Sequence, residues 1–366
     1  MDRRIELLRY VTRQQRGIEI APWFNPLVPK RAGYRTLILD VFDAQNLRRN
    51  AESDANVPKE MIPNIEEVDL VGSATDIAEL VNRRDSLGSF DWVISSHNFE
   101  HLPNPIRFLQ GCEKVLKPGG TLSMAIPDRR ACFDYFRPHS TTADFIEAFS
   151  ARRERPSAAQ FFLQHSLNSR LMRDSCELLS FSLDDDPACI EPLETLEETY
   201  RAWEAFEQKP DAIHQSVHCW AFTPASLELI LRDLWFLGLI DLEIRQITPP
   251  KNGEFYVHLR NMAGSAAPKD RLDFYRERAR ILHSINNEAA EHTVLAAEHT
   301  VLFADLHRRL EENSAAYIGQ LARDKQRIAE LEAVLDALQA SRSWRITAPL
   351  RALSSALCRA IGRTSL

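Results

Sequence analysis

The sequence predicts an α/β protein built on a doubly wound parallel sheet. Three observations carry that prediction. Strand and helix signals alternate from residue 17 to about 126, the pattern of parallel strands joined by crossover helices. Leu37-Ile38-Leu39 and Val93-Ile94 are apolar enough for strands covered on both faces. Near residue 250, two strand-like runs flank Thr248-Pro249-Pro250-Lys251-Asn252-Gly253, which has the residues of a hairpin turn.

Taken in order, a helix is expected near 3–13 and strands near 17–21 and 35–40. A helix near 41–50, a strand near 66–71 and a helix near 75–84 follow. A strand near 90–96, a helix near 104–116 and a strand near 120–126 complete the alternation. Lys117-Pro118-Gly119-Gly120 turns the chain into that last strand. Residues 127–220 lose the rhythm and read as an insertion, mainly helix and loop. The rhythm returns at Thr223-Pro224, an N-cap and first-position pair that opens a helix over 224–237. Asp241–Ile247 and Glu254–Arg260 then form the hairpin, closing a domain at 1–262.

Residues 263–269 form a small-residue linker, and 270–340 read as long helix. Ala290-Glu291-His292-Thr293-Val294-Leu295-Ala296 is followed at once by Ala297-Glu298-His299-Thr300-Val301-Leu302-Phe303. A seven-residue repeat keeps one helix face in register, which is the periodicity of a coiled coil. Leu321, Ile328, Leu331, Leu335 and Leu338 continue it, with Asp324 as one break. Self-association through 270–340 is therefore expected; the alternative is a helix folded back on the globular part. The tail, 341–366, holds five arginines and no acid. Leu350, Leu353, Leu357 and Ile361 recur at helical spacing there. That composition suits a helix lying on anionic lipid, or one docked on a protein partner.

The 366 residues are 44% hydrophobic and 27% charged, ordinary values for a globular protein. A net charge of −7 argues against nucleic acid as the main partner. None of the six cysteines forms a CxxC pair, which leaves a zinc ribbon or redox dithiol without its ligands. Met1-Asp2-Arg3-Arg4-Ile5-Glu6 lacks the apolar run of a signal peptide. Leu234–Ile240, the best apolar run, is far short of the ~20 residues needed to span a bilayer. A cytoplasmic location is expected, peripheral to the inner face of the membrane if the tail binds lipid.

Three segments carry a resemblance. They are Gly17-Ile18-Glu19-Ile20-Ala21-Pro22-Trp23-Phe24-Asn25-Pro26, the stretch Ser89–Leu102, and Val115-Leu116-Lys117-Pro118-Gly119-Gly120-Thr121-Leu122. In this order and at these spacings they resemble the core of a class I S-adenosylmethionine-dependent methyltransferase. The likeness covers 15–130 well and 131–262 more loosely. It implies a Rossmann-like, seven-stranded fold ending in an antiparallel hairpin, with S-adenosylmethionine as cofactor. Gly17, Glu19, Ala21, Pro22 and Asn25 fall on the turn that would cradle the methionine part, with Ala21 where a glycine is usual. Asp40, 21 residues after Glu19, would accept the ribose hydroxyls, with Asp43 as the alternative. Ser73 stands where an aspartate often binds the adenine amino group. Ser95, His97 and Asn98 lie at the carboxyl end of the fourth strand, where open α/β sheets bind ligands. No G-x-G-x-x-G follows any strand, which argues against a dinucleotide site.

A base is needed only for a hydroxyl or protonated amine acceptor. His101 is the first candidate and Asp128 the second, both on position. His97 to His101 also spells H-x-x-E-H. A helical zinc site of that kind is rejected because a strand precedes it and Pro103 and Pro105 follow, so no metal is expected. Cys132–His139, and His214 and His218 with Trp220, add charged and aromatic groups that serve either acceptor binding or packing. Ser341-Arg342-Ser343-Trp344-Arg345-Ile346-Thr347-Ala348-Pro349-Leu350-Arg351 resembles a segment ending bacterial enzymes of surface-polysaccharide assembly, which implies a sugar or glycan acceptor. The rival expectation, supported by Ala21 and Ser73, is an inactive scaffold that organises a glycan-assembly complex through its coiled coil.

Overall fold

The computed structural model describes residues 3–173, 176–208, 216–263 and 271–361; within these, the side chains of 289–304, 306–307, 354 and 356–361 lie outside the description. The chain divides into two compact units, Met1–Ala296 and Ala297–Leu366.

The first unit opens with α1 (Arg3–Leu7), shorter than the helix expected over 3–13. Then come β1 (Arg16–Ile20), β2 (Arg35–Asp40), α2 (Ala44–Ser53), β3 (Leu70–Val71) and α3 (Ile77–Asn82). β4 (Phe90–Ser96), α4 (Pro105–Val115) and β5 (Leu116–Pro127) complete the alternating half. Local chemistry sets the boundaries. Asp43 caps α2 by accepting from the Asn46 amide at 2.8 Å, and Asn104 caps α4 ahead of Pro105. The stretch Lys117–Gly120, expected as a turn, lies inside β5 as a bulge. Phe90 pairs with Leu116 but Trp92 with Thr121, so the extra residues loop out, and Gly119 takes a φ of 78° there.

The insertion contains α5 (Thr142–Ser150), α6 (Ala158–Leu167), β6 (Ser169–Arg173), β7 (Cys176–Leu178), β8 (Ile190–Pro192) and α7 (Leu196–Gln208). The expectation of helix and loop alone is corrected here: β7, β6 and β8 form a three-stranded antiparallel sheet. Its strands are too short to show a period of two in the sequence. Next come α8 (Pro224–Phe236), opened by a capping box of Thr223 and Ser226, and the hairpin β9 (Leu242–Ile247) and β10 (Glu254–Asn261).

The main sheet has seven strands in the order β3-β2-β1-β4-β5-β10-β9. The first five are parallel, β10 runs antiparallel to β5, and β9 antiparallel to β10. This is a Rossmann-like sheet with a terminal hairpin. One face buries Ile18, Leu39, Val93 and Leu122 with Phe108 and Leu109 of α4 and Leu227, Ile230 and Leu231 of α8. On the other, Trp92, Ile94, Ala125 and Tyr256 pack with Leu7 and Val28. The split of Trp92 and Ile94 from Val93 is the two-residue period of a strand covered on both sides.

The long helix α9 (Arg271–Ala340) begins within this first unit rather than after it. Ile281 and Ile285 are buried with Ala225 and Leu229 of α8. Phe274 stacks on Phe236 at 3.8 Å, and Arg278 binds Asp233 at 2.9 Å. The start of α9, through Ile285, thus packs with the domain expected to close at 262, because these side chains complete the packing of α8. In the second unit, α9 is followed by α10 (Arg342–Ile346) and α11 (Ala348–Ile361). Leu310, Tyr317, Leu321, Ile328, Leu331, Leu335 and Leu338 are all exposed. The doubled heptad at 290–303 is helical, but its side chains, like those of Leu357 and Ile361 of the tail and all of His214, lie outside the described residues. No helix among the described residues is long and apolar enough to cross a membrane.

Candidate active site

The carboxyl ends of β1, β2, β3 and β4 stand side by side. Ile20 pairs with Leu39 and with Ser95, and Asp40 with Val71. The chain leaves these ends in left-handed conformations: φ is 47° at Ala21, 46° at Trp23, 48° at His97 and 152° at Gly72. Non-glycine residues rarely adopt such angles, and they gather where a fold holds its backbone against a ligand. Ala21 thus takes, at some cost, the conformation that a glycine would supply. Its amide donates to the Leu39 carbonyl at 2.8 Å, which fixes the start of the turn.

Glu19 sits beneath that turn, 2% exposed. The amides of Leu27 and Val28 donate to its two carboxylate oxygens at 2.7 and 3.2 Å. Burial pushes its carboxyl up to about 7 despite those bonds. Its contacts are to the loop 21–28, which it ties down. Pro22 and Asn25 lie in that loop, the Asn25 amide donating to the Pro22 carbonyl at 3.1 Å. Gly17 requires a correction. It lies near the amino end of β1, paired with Trp92, and a Cβ there would overlap the indole. Its role is packing, away from the ligand-binding ends.

Asp40 ends β2, buried, with one oxygen accepting the Phe42 amide at 3.2 Å. Burial pushes its carboxyl up to about 6. Asp43, its alternative, is spent on capping α2. Ser73 caps the next turn by accepting the Thr75 amide at 3.2 Å. Ser95 is buried and accepts from the Asn98 side-chain amide at 3.1 Å. His97 reaches across to β10, where its Nε2 lies 2.7 Å from Glu254 Oε2. Glu254 also accepts from the Tyr256 hydroxyl at 2.5 Å and pairs with Arg3 at 3.5 Å. Burial works to raise Glu254, but His97 and Tyr256 hold it below the usual carboxylate range.

Asp128 is the second correction. It is fully buried, receives Arg130 Nε and Nη2 at 2.9 and 2.7 Å, and caps the turn Arg129–Ala131. Both oxygens are held in an ion pair, so a base role does not suit it. His101 keeps a free nitrogen. Its Nδ1 donates to the Val217 carbonyl at 3.1 Å, and Nε2 points toward Glu100 at 4.0 Å. Burial lowers its pKa.

Phe99–His101 is a single 3-10 turn, so the helical zinc geometry is not formed. Yet the end of the insertion returns here. The Trp220 amide donates to the Glu100 carbonyl at 3.2 Å, and its indole Nε1 to the Leu102 carbonyl at 2.6 Å. Cys219 Sγ lies 3.3 Å from the His101 carbonyl. These contacts set the His218 ring edge-on to that of His101, centroids 4.6 Å apart. His218 Nδ1 donates to Asp134 at 2.6 Å, and Arg137 donates to the same carboxylate at 2.5 Å. Burial works to lower His218, but the bond to Asp134 prevails and raises it. Sequence reasoning passed over Glu100 and Glu254 and left Asp134, within Cys132–His139, and His218 between two roles. Only the H-x-x-E-H letters hinted at Glu100. A shallow hollow of about 380 Å³ lined by Ala151–Ala158, Phe206 and Glu207 shares no residue with this crevice.

Residues 38–124, from β2 to β5, match a family described as methyltransferase domain. A ubiquinone biosynthesis O-methyltransferase of Xanthomonas campestris pv. campestris is 43% identical over 42 residues, 12% of this chain and 18% of its own. The chain thus spans under a fifth of that relative's length. Among solved structures, a methyltransferase of Thermotoga maritima, titled a possible histamine N-methyltransferase, overlaps 70% of this chain and 88% of its own at 11% identity and a TM-score of 0.33. One from Aquifex aeolicus overlaps 70% and 89% at 12% identity and a TM-score of 0.34.

Proposed function

We propose that the chain is an S-adenosylmethionine-dependent methyltransferase acting on a hydroxyl of a sugar or glycan. The observation that carries this reading is the methyltransferase-domain match over 38–124, which takes in the carboxyl ends of β2, β3 and β4 at the crevice, though not β1. The residues there suit the cofactor. Asp40 offers a buried carboxylate oxygen for ribose hydroxyls, and the left-handed turn at Ala21 opens the backbone for close approach. When bound, the cofactor supplies an electrophilic methyl group on a sulfonium.

The chain's own contribution is alignment, for which well-oriented reactants gain ~7–11 kcal/mol. Glu19 fixes the loop 21–28 under the methionine part. Glu254 fixes His97, and Ser95 fixes Asn98, at the mouth. The acceptor's proton would leave toward Glu100, His101 and His218, the latter two each with Nδ1 occupied and Nε2 free to face it. The insertion borders this mouth through Val217–Trp220, which supports a role in acceptor choice. A hydroxyl acceptor agrees with the name of the Xanthomonas relative; the glycan class rests on the tail resemblance.

Calorimetric titration with S-adenosylmethionine tests the reading. Micromolar binding is expected, weakened by ~1.5–3 kcal/mol in Asp40→Ala. Because burial raises Asp40 to about 6, wild-type binding should strengthen as pH rises through that value and ionises it. Asp40→Asn should lose that dependence. Folded protein that binds no cofactor would leave the scaffold reading.

A further inference from the structure

We infer that Glu100, His101 and His218 form a binding site for a divalent transition cation, with zinc(II) the best chemical match. Their donor atoms lie within 4.8 Å of one another. Zinc sites of two histidines and one carboxylate use these groups, with bonds of ~2.0–2.2 Å. Closing on a cation requires side-chain shifts of roughly an ångström or less from the spacing seen here.

Three further observations point to a ligand rather than to chance proximity. Glu100 is fully buried, and neither carboxylate oxygen has a hydrogen-bond partner. Its only polar neighbours among the described ion pairs are His97 at 3.5 Å and His101 at 4.0 Å. A buried carboxylate left this way is costly unless something charged completes it. Next, both histidines are oriented as metal ligands are. Each Nδ1 is committed, His101 to the Val217 carbonyl and His218 to the Asp134 carboxylate, which leaves each Nε2 as the donor. The carboxylate–histidine pair of Asp134 and His218, itself steadied by Arg137, is the outer shell that fixes a ligand's tautomer. Last, the two halves of the site are clamped together by the bonds of Trp220 and Cys219 to Glu100, His101 and Leu102, so the donors are preorganised.

The ligand set differs from the helical H-x-x-E-H site that the sequence brought to mind. His97 keeps its Nδ1 3.5 Å from Glu100 but commits its Nε2 to Glu254, and His218, 117 residues beyond His101, supplies the second histidine. If the chain methylates a hydroxyl, a cation here would hold that oxygen and ease loss of its proton, with Glu100, His101 and His218 then serving as its ligands and not as proton acceptors. This last clause rests on the proposed function; the metal site itself does not.

The test is titration of the full chain, stripped with chelator, with cobalt(II) and then zinc(II), without cofactor or acceptor. The expected result is one cobalt per chain with visible ligand-field bands, displaced by zinc. His218→Ala should weaken binding at least 100-fold and Asp134→Asn about 10–100-fold. His101→Gln, at a partly exposed side chain, should fold and also lose the cobalt bands. No cobalt bands and no heat of zinc binding in the folded wild-type chain would overturn the site. So would equal affinity in wild type and His101→Gln, which would place the cation elsewhere. Either failure leaves cofactor binding untouched, so the two readings are separable.

Discussion

Gly17 on β1 and Trp92 on β4 are register partners, and the indole occupies the space that any side chain at Gly17 would need. Trp92 is fully buried on the face formed with Leu7, Val28 and Tyr256. Gly17→Ala should therefore destabilise the first unit by about 1–3 kcal/mol, the usual cost of overpacking. Urea denaturation measures it. A change under about 0.5 kcal/mol would mean that the indole moves aside freely.

Glu19 gives the protein a pH signature. Burial raises its folded-state carboxyl to about 7 from an ordinary 4.5. The folded state therefore binds the proton more tightly than the unfolded state. Its contribution is full below the unfolded value and is lost as pH rises toward 7, by up to about 3 kcal/mol. Glu19→Gln should flatten that part of the stability profile. An unchanged slope between pH 4.5 and 7 would show that Glu19 is ionised at no cost.

The exposed row on α9 predicts self-association. Tyr317, Leu321, Ile328, Leu331, Leu335 and Leu338 follow alternating steps, interrupted at Asp324. Replacing Leu331 and Leu335 by glutamate in the full chain should give a smaller oligomer by light scattering. Asp324→Leu should tighten the assembly. A monomeric wild-type chain at micromolar concentration would remove the coiled coil. Deleting everything past 262 is a poor test, because Ile281 and Ile285 would leave α8 uncovered.

The tail predicts salt-sensitive binding to anionic vesicles. Leu350 and Leu353 are exposed on α11, and Arg351 lies over the Trp344 ring at 3.7 Å. Changing Arg345, Arg351 and Arg359 to glutamine should abolish flotation with such vesicles at low salt. A wild-type chain that fails to float leaves a protein partner as the occupant.

The sequence by itself determined the alternating sheet, because apolar runs such as Leu37–Leu39 and turn residues such as those at 248–253 act locally. It also determined the cap at Thr223, whose side chain bonds only a few residues ahead. It placed Asp40, Ser95, His97 and Asn98 at strand ends, since strand polarity follows from the crossover pattern. It could not tell that Gly17 serves Trp92, or that Asp128 is buried with its ion pair to Arg130, because the cover over both comes from segments distant in the chain, β4 for Gly17 and the Phe222 and Gly253 backbone for the Asp128 turn. The β6–β8 sheet escaped notice because its strands, of five, three and three residues, are too short to show a period of two. Only tertiary structure decided the cluster of Glu100, His101 and His218. Those residues meet because Trp220 and Cys219 bond the end of a long insertion to the turn after β4, and such contacts leave no periodic trace in the chain.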